Sequence, residues 1–189
     1  MEFIPTEIPD VVEVVPVRRG DARGWFTEAY RRDLFADAGL ALDFVQDNES
    51  FSATPGTIRG LHYQLPPFAQ DKLVRVLRGS IFDVAVDIRR DSPTFGRHVT
   101  RTLSADAGNQ LLVPAGFAHG FATLTADVHV TYKVTAPYAA DTERSIRWDD
   151  ADLAIAWPNV VDGVDGTDAP TLSDKDAVAP RFADQPDMF

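Results

Sequence analysis

Short apolar runs, alternating or β-branched and broken by Gly and Pro, recur through most of the chain. Val11–Val17 is one such run, ended by the turn-like cluster Arg18-Arg19-Gly20-Asp21. Phe44–Ser52 and Gly56–Gln64 read as strands separated by Thr54-Pro55. Lys72–Leu77 and Ile81–Ile88 read as a hairpin joined through Arg78-Gly79-Ser80. Further strands are expected at His98–Leu103, Asn109–Val113, His119–Leu124 and Val128–Val134. Leu34, Phe35 and Ala38 fall at helical spacing and stop at Gly39, which predicts a short helix over 31–38. From Asp149 the composition shifts to Asp, Gly, Pro and Ala, with short helical pieces expected near 150–155 and 173–178. The pattern predicts a mostly β, single domain over 1–189, a sandwich or small antiparallel barrel. Residues 149–189 are expected to pack on it as an appendage.

Strand alternation assigns faces. In Gly56–Gln64 it groups Ile58, Gly60, His62 and Gln64 on one side and Arg59, Leu61 and Tyr63 on the other. In Ile81–Ile88 it sets Asp83, Ala85 and Asp87 opposite Val84, Val86 and Ile88. Those carboxylates are expected to pair with nearby cations such as Lys72.

Charge and composition narrow the function. The 189 residues carry a net charge of -11, which disfavours a nucleic-acid partner because phosphate contacts need a concentrated basic surface. A few basic residues converging in a pocket can still bind an anionic ligand. With no cysteine, disulfides, thiolate catalysis and zinc–thiolate sites are excluded. Met1-Glu2-Phe3-Ile4-Pro5 has no signal-peptide pattern, and no run reaches the roughly 20 apolar residues of a membrane span. A cytoplasmic protein is expected, without a membrane partner.

The chemistry-bearing residues gather on the expected strands. His62 is accompanied by His98, His119 and His129. His119 closes Pro114-Ala115-Gly116-Phe117-Ala118-His119, the PxGxxH half of a cupin pattern. The other half, HxH followed by glutamate in metal-binding cupins, reads His62-Tyr63-Gln64 here. Two imidazoles are too few for a tight metal site, so no metal is expected. Arg23, Arg59 and Lys72 could meet a diphosphate, where guanidinium forks match phosphate oxygens. Tyr132 and Tyr138 are either hydrogen-bonded core residues or, facing a histidine, proton donors. Asp176 lies three residues after Ser173, as in a capping box. It could equally orient a histidine as a triad acid does.

In order along the chain come Asp21-x-Arg23-Gly24-x-Phe26-x-Glu28, Gln46-x-Asn48-x-Ser50-x-Ser52, Ile58–Gln64 and Gln70-x-Lys72-Leu73-Val74. They continue with Asp83–Arg89, Ser92-Pro93-Thr94-x-Gly96, Pro114–Phe121, Tyr132-Lys133, Trp148-x-Asp150, Trp157-Pro158 and Leu172-Ser173-x-Lys175-Asp176. With these motifs the chain resembles the dTDP-4-dehydrorhamnose 3,5-epimerase family of metal-independent cupins. The resemblance implies a double-stranded antiparallel jelly-roll barrel with short N- and C-terminal helices. It also implies a homodimer that needs no cofactor and inverts carbons 3 and 5 of dTDP-4-dehydro-6-deoxy-D-glucose. The alternatives are an epimerase acting at one carbon only, a non-catalytic cupin that binds sugar nucleotides, and a metal-dependent cupin oxygenase or isomerase.

Carried over by resemblance, His62 is the base, Asp176 its partner, Tyr132 the opposing acid and Lys72 the enolate stabiliser. Arg23 and Arg59 hold the diphosphate, and Gln46 and Asn48 lie near the nucleotide. Phe26 and Glu28 reach in from the partner subunit. Tyr138 and His119 line the sugar pocket, with Glu143 also binding substrate. Two departures stand out: bulky Trp25 after Gly24, and a loop over 161–169 that looks lengthened.

Overall fold

The computed structural model describes residues 1–158 and 169–189. Two antiparallel sheets face each other as a jelly roll. The first, of six strands, runs β1 (Glu2–Pro5), β2 (Val12–Val15), β10 (Gln110–Val113), β7 (Lys72–Arg78), β12 (Val128–Val134) and β5 (Gln46–Ser52). The second, of five, runs β13 (Glu143–Ser145), β6 (Ile58–Gln64), β11 (Phe117–Thr123), β8 (Ser80–Asp87) and β9 (His98–Ser104). A separate two-stranded arm pairs β3 (Arg18–Asp21) with β4 (Gly24–Thr27). Among the described residues the α-helices are α1 (Arg32–Asp37) and α2 (Asp174–Ala177). Among the described residues no helix is long and apolar enough to cross a membrane.

Apolar residues fill three layers. Val74, Val76, Ala85, Leu111, Phe117 and Val130 meet between the two sheets. Leu61, Tyr63, Val84, Val86 and Ile146 pack outside the five-stranded sheet, under Trp157, Leu172, Phe182 and Phe189 of the C-terminal segments. Outside the six-stranded sheet, Phe35 of α1 seals Val12, Val14, Leu73 and Leu112. Strands buried on both faces therefore sit centrally, and a polar cavity opens between the sheets.

Two expectations are corrected. β7 and β8 are consecutive but do not form a hairpin, because they belong to different sheets. Val76 and Ile81 both fill the inter-sheet core, so the two strands separate to enclose it rather than pairing edge to edge. Gly79, at φ +76°, turns the chain between sheets, and a Cβ there would lie 2.5 Å from Thr125 Oγ1. The helix expected near 150–155 is a series of turns instead. The Asp150 carboxylate accepts from the amides of Asp152 and Leu153 as an N-cap does, and Ala154 N–H reaches the Asp150 carbonyl at 3.0 Å, but Ala154 itself takes φ +46° and ends the turn there. The loop expected over 161–169 lies, up to residue 168, outside the described residues.

Candidate active site

The site opens from a local irregularity in β6. Arg59 stands opposite Phe121 of β11, yet His62 stands opposite His119, so three steps on β6 match two on β11. This is a β-bulge, which re-aims the side chains beyond it. It requires glycine on both strands. Gly60 has φ +119°, and a Cβ on it would lie 2.6 Å from Gly120 Cα. A Cβ on Gly120 would lie 2.8 Å from the Arg59 carbonyl oxygen. The slip overturns the simple alternation. Arg59 and His62 share the cavity, while Leu61 and Tyr63 join the outer core.

The cavity encloses about 700 Å³. β5 contributes Gln46, Asn48 and Ser50 at every second position, as a strand must. β6 contributes Arg59 and His62, β7 Lys72, β11 His119 and β12 Tyr132. Tyr138 and Glu143 stand at its mouth, and Asp176 comes from α2. Arg23, Phe26 and Glu28 do not line it. Phe26 and Glu28 line a separate dent of about 170 Å³ beside Val17 and Arg31. Arg23 closes the arm's turn onto Asp21 at 2.6 Å, with its side chain 90% exposed.

His62 and Asp176 are brought together across 114 residues of sequence. Ile58 N–H donates to the Thr171 carbonyl at 3.0 Å and Thr171 N–H to that of Gly56 at 3.2 Å, which ties the α2 approach to β6. Ser173 caps α2 by accepting from the Asp176 amide at 3.2 Å. The Asp176 carboxylate turns instead to His62 Nε2, at 2.6 Å. The two readings of Asp176 are thus compatible: its backbone serves the cap and its side chain serves the histidine. A carboxylate at neutral pH only accepts, so Nε2 carries a proton, and in the neutral imidazole Nδ1 is the nitrogen with the lone pair. Burial raises the Asp176 pKa, but donors from His62, Ser173 and Gly60 outweigh it and hold the group below its ordinary value.

Lys72 is buried, and its Nζ donates to the His62 carbonyl at 3.1 Å. Burial pushes its pKa down from 10.5 to about 8, against the attraction of Asp83 and Glu143. Burial likewise raises the Tyr132 phenol, which keeps its proton at neutral pH. Arg59 is held by β5: Nε donates to Ser52 Oγ at 3.2 Å and Nη2 to the Phe51 carbonyl at 2.9 Å. At the mouth, Tyr138 donates to Glu143 at 3.1 Å, which raises the phenol.

Two residues at the site were missed by sequence reasoning. Asp83, fully buried, accepts from His119 Nε2 at 2.6 Å, making a second imidazole–carboxylate pair. Its alternation with Ala85 pointed inward, but the expected partner was a cation such as Lys72. Asp87 does pair with a nearby cation, Arg89, and also accepts from Ser92 and Thr94. Lys175 pairs with Glu143 at 2.6 Å and lines the mouth. Its signal was its place one residue before Asp176. Among the described residues, no three His, Asp or Glu side chains converge as a metal-binding group.

A jelly-roll cavity holding an oriented imidazole, a buried ammonium and a half-buried phenol defines a cupin built for acid–base isomerisation. Comparison with known proteins agrees. A family profile described as dTDP-4-dehydrorhamnose 3,5-epimerase matches residues 5–184. The dTDP-4-dehydrorhamnose 3,5-epimerase of Sinorhizobium fredii is 50% identical, covering 100% of this chain and 93% of its own. The crystal structure of the Bacillus anthracis enzyme of that name, with TDP and PPi bound, superposes with a TM-score of 0.89 at 47% identity. That match covers 95% of this chain and 98% of the other. A Legionella pneumophila 3,5-epimerase, in complex with dTDP-4-keto-L-rhamnose, gives 0.88 at 42% identity over 96% and 93%. The chain belongs to the dTDP-4-dehydrorhamnose 3,5-epimerase family and is an isomerase.

Proposed function

We propose that the chain converts dTDP-4-dehydro-6-deoxy-D-glucose to dTDP-4-dehydro-L-rhamnose, in dTDP-rhamnose biosynthesis. It acts in the cytoplasm as a homodimer without a cofactor. The observation that carries the reading is the His62–Asp176 pair facing a cavity that also holds Lys72 and Tyr132. His62 Nδ1 removes the proton on the carbon beside the 4-ketone, and the C–H electrons pass into an enolate. The Lys72 ammonium stabilises the charge that develops on the C4 oxygen, where a water-poor site makes it effective. Tyr132 then donates its phenolic proton to the same carbon from the opposite face, and solvent restores both groups. Repetition at the other flanking carbon completes the double inversion. His119, fixed by Asp83, lines the sugar pocket with Tyr138, and Glu143 binds substrate at the mouth.

Arg59 binds the diphosphate, and Gln46 and Asn48 lie near the nucleotide. A dTDP-sugar carries two diphosphate charges, and Arg23 on the arm is the second expected cation. Its absence from its own chain's cavity supports a partner subunit that supplies Arg23, Phe26 and Glu28. The test is solvent deuterium incorporation into the substrate. The wild type should exchange at carbons 3 and 5, and His62→Ala should lose both by about 10²- to 10⁴-fold while still binding dTDP. Exchange at a single carbon would replace this reading with a mono-epimerase. Normal exchange in the variant would remove His62 as the base.

A further inference from the structure

The arm β3–β4 pairs with neither main sheet, yet both of its feet are bolted down. At the entry, the Arg18 guanidinium donates to the carbonyls of Ala105 and Asp106 in the turn between β9 and β10. At the exit, buried Gln110 donates to the Ala29 carbonyl at 2.7 Å. The receiving turn is itself rigid. Asn109 accepts from the Ser104 amide and donates to Glu13 and to the Thr102 carbonyl, and Ser104 Oγ accepts from the Ala107 amide. Gly108 lets the guanidinium lie against the backbone, since a Cβ there would be 2.6 Å from Arg18 Nη2.

Trp25, the bulky departure in the arm motif, completes the clamp. Its ring lies under the Arg18 guanidinium at 4.1 Å, a cation–π contact. The arm's register explains the direction. Arg18 pairs with Thr27 and Gly20 with Trp25, so Arg18 and Trp25 are diagonal neighbours on one face. Gly20, without a side chain, leaves Trp25 room to lean. Phe26 falls on the opposite face and is 67% exposed.

We propose that Arg18 is a positioning residue: clamped between the 105–106 carbonyls and Trp25, it fixes the angle at which the arm delivers Arg23 and Phe26 to the partner subunit's cavity. The inference rests on the homodimer reading above. It gives Trp25 a task that the chemistry of the cavity does not use.

The test compares Arg18→Ala with wild type by KM for the dTDP-sugar, kcat and mass in solution. KM should rise roughly 10- to 100-fold, the worth of a misplaced charge-assisted contact, with kcat within about threefold. The dimer mass should not change. Trp25→Phe, which keeps the aromatic face, should retain the wild-type KM, whereas Trp25→Leu should raise it. That pair decides the matter if Arg18→Ala does not fold. A heterodimer of Arg18→Ala with His62→Ala joins an intact cavity to an intact arm and should regain the low KM. An unchanged KM in Arg18→Ala overturns the clamp and leaves the dimer reading standing. A raised KM that the heterodimer does not restore overturns the clamp's delivery to a partner, and the dimer reading with it. Dissociation of Arg18→Ala into monomers also overturns the proposal, because Arg18 would then serve association.

Discussion

Lys72 couples burial to a pH response. Its ammonium is desolvated between the sheets, so its pKa falls from 10.5 to about 8. Epimerisation should therefore decline as pH rises through about 8, when the ammonium is lost. Lys72→Arg should move that limb upward, and Lys72→Met should lower the rate about 10²- to 10³-fold at every pH. A pH–rate profile checks both, and a limb at the same pH in Lys72→Arg would assign it to another group. The linkage follows in sign. Between about pH 8 and 10.5 the folded chain binds fewer protons at Lys72 than the unfolded chain. The cost of burying this charge is thus full below pH 8 and fades as pH rises across that window. Asp176 acts oppositely: its lowered pKa adds stability that is lost as pH falls through the folded value. His62 and Lys72 were legible because histidine and lysine on apolar strands stand out. Asp83 was legible as an inward carboxylate but not as the partner of His119. The register of β8 against β11 sets Asp83 opposite Phe121, two residues from His119, and that pairing is written in no local pattern.

At the scale of elements, most strands followed from alternation and punctuation, but the short strands β1, β3, β4 and β13 did not, and Arg18–Asp21, read as a turn-like cluster, is strand β3. β3 is Gly and charge, and β4 sets Gly24 before two aromatics and Thr27, so neither shows an apolar rhythm. The bulge in β6 was equally hidden. Period-2 reading assumes an unbroken ladder, and the slip arises only because Gly60 meets Gly120 across it. Gly60→Ala should be severely destabilising, since it combines positive φ with a backbone collision that cannot relax through a side chain. About 3 kcal/mol is expected for the strain and contact together. At roughly 2–4 °C per kcal/mol this is a fall in Tm of about 6–12 °C. Thermal unfolding measures it, and a shift under about 2 °C would mean that β6 tolerates a side chain there. The strain matters for function because the same slip turns Arg59 and His62 into one cavity.

The whole molecule is a sandwich whose polar cavity collects residues from β5, β6, β7, β11, β12 and α2. A ligand that bridges those elements binds only the folded state. dTDP at about 100 times its Kd should add roughly 2.7 kcal/mol, a rise in Tm of about 5–10 °C. Differential scanning calorimetry tests this, and an unmoved Tm at saturating dTDP would count against nucleotide binding in the cavity. In solution the mass should be twice the 20.8 kDa of one chain. The sequence by itself determined the β-rich class, the limits set by charge and the lack of cysteine, and the motif order that marks the family. Those are local or compositional properties, readable from apolar period, turn residues and residue type. Only the tertiary structure decided which strands share a sheet, that Arg59 faces with His62, that Asp83 holds His119, and that Arg18 grips the 105–106 turn. Each of these depends on register between segments far apart in the chain, and register is set by the packing of the whole core rather than by any one stretch.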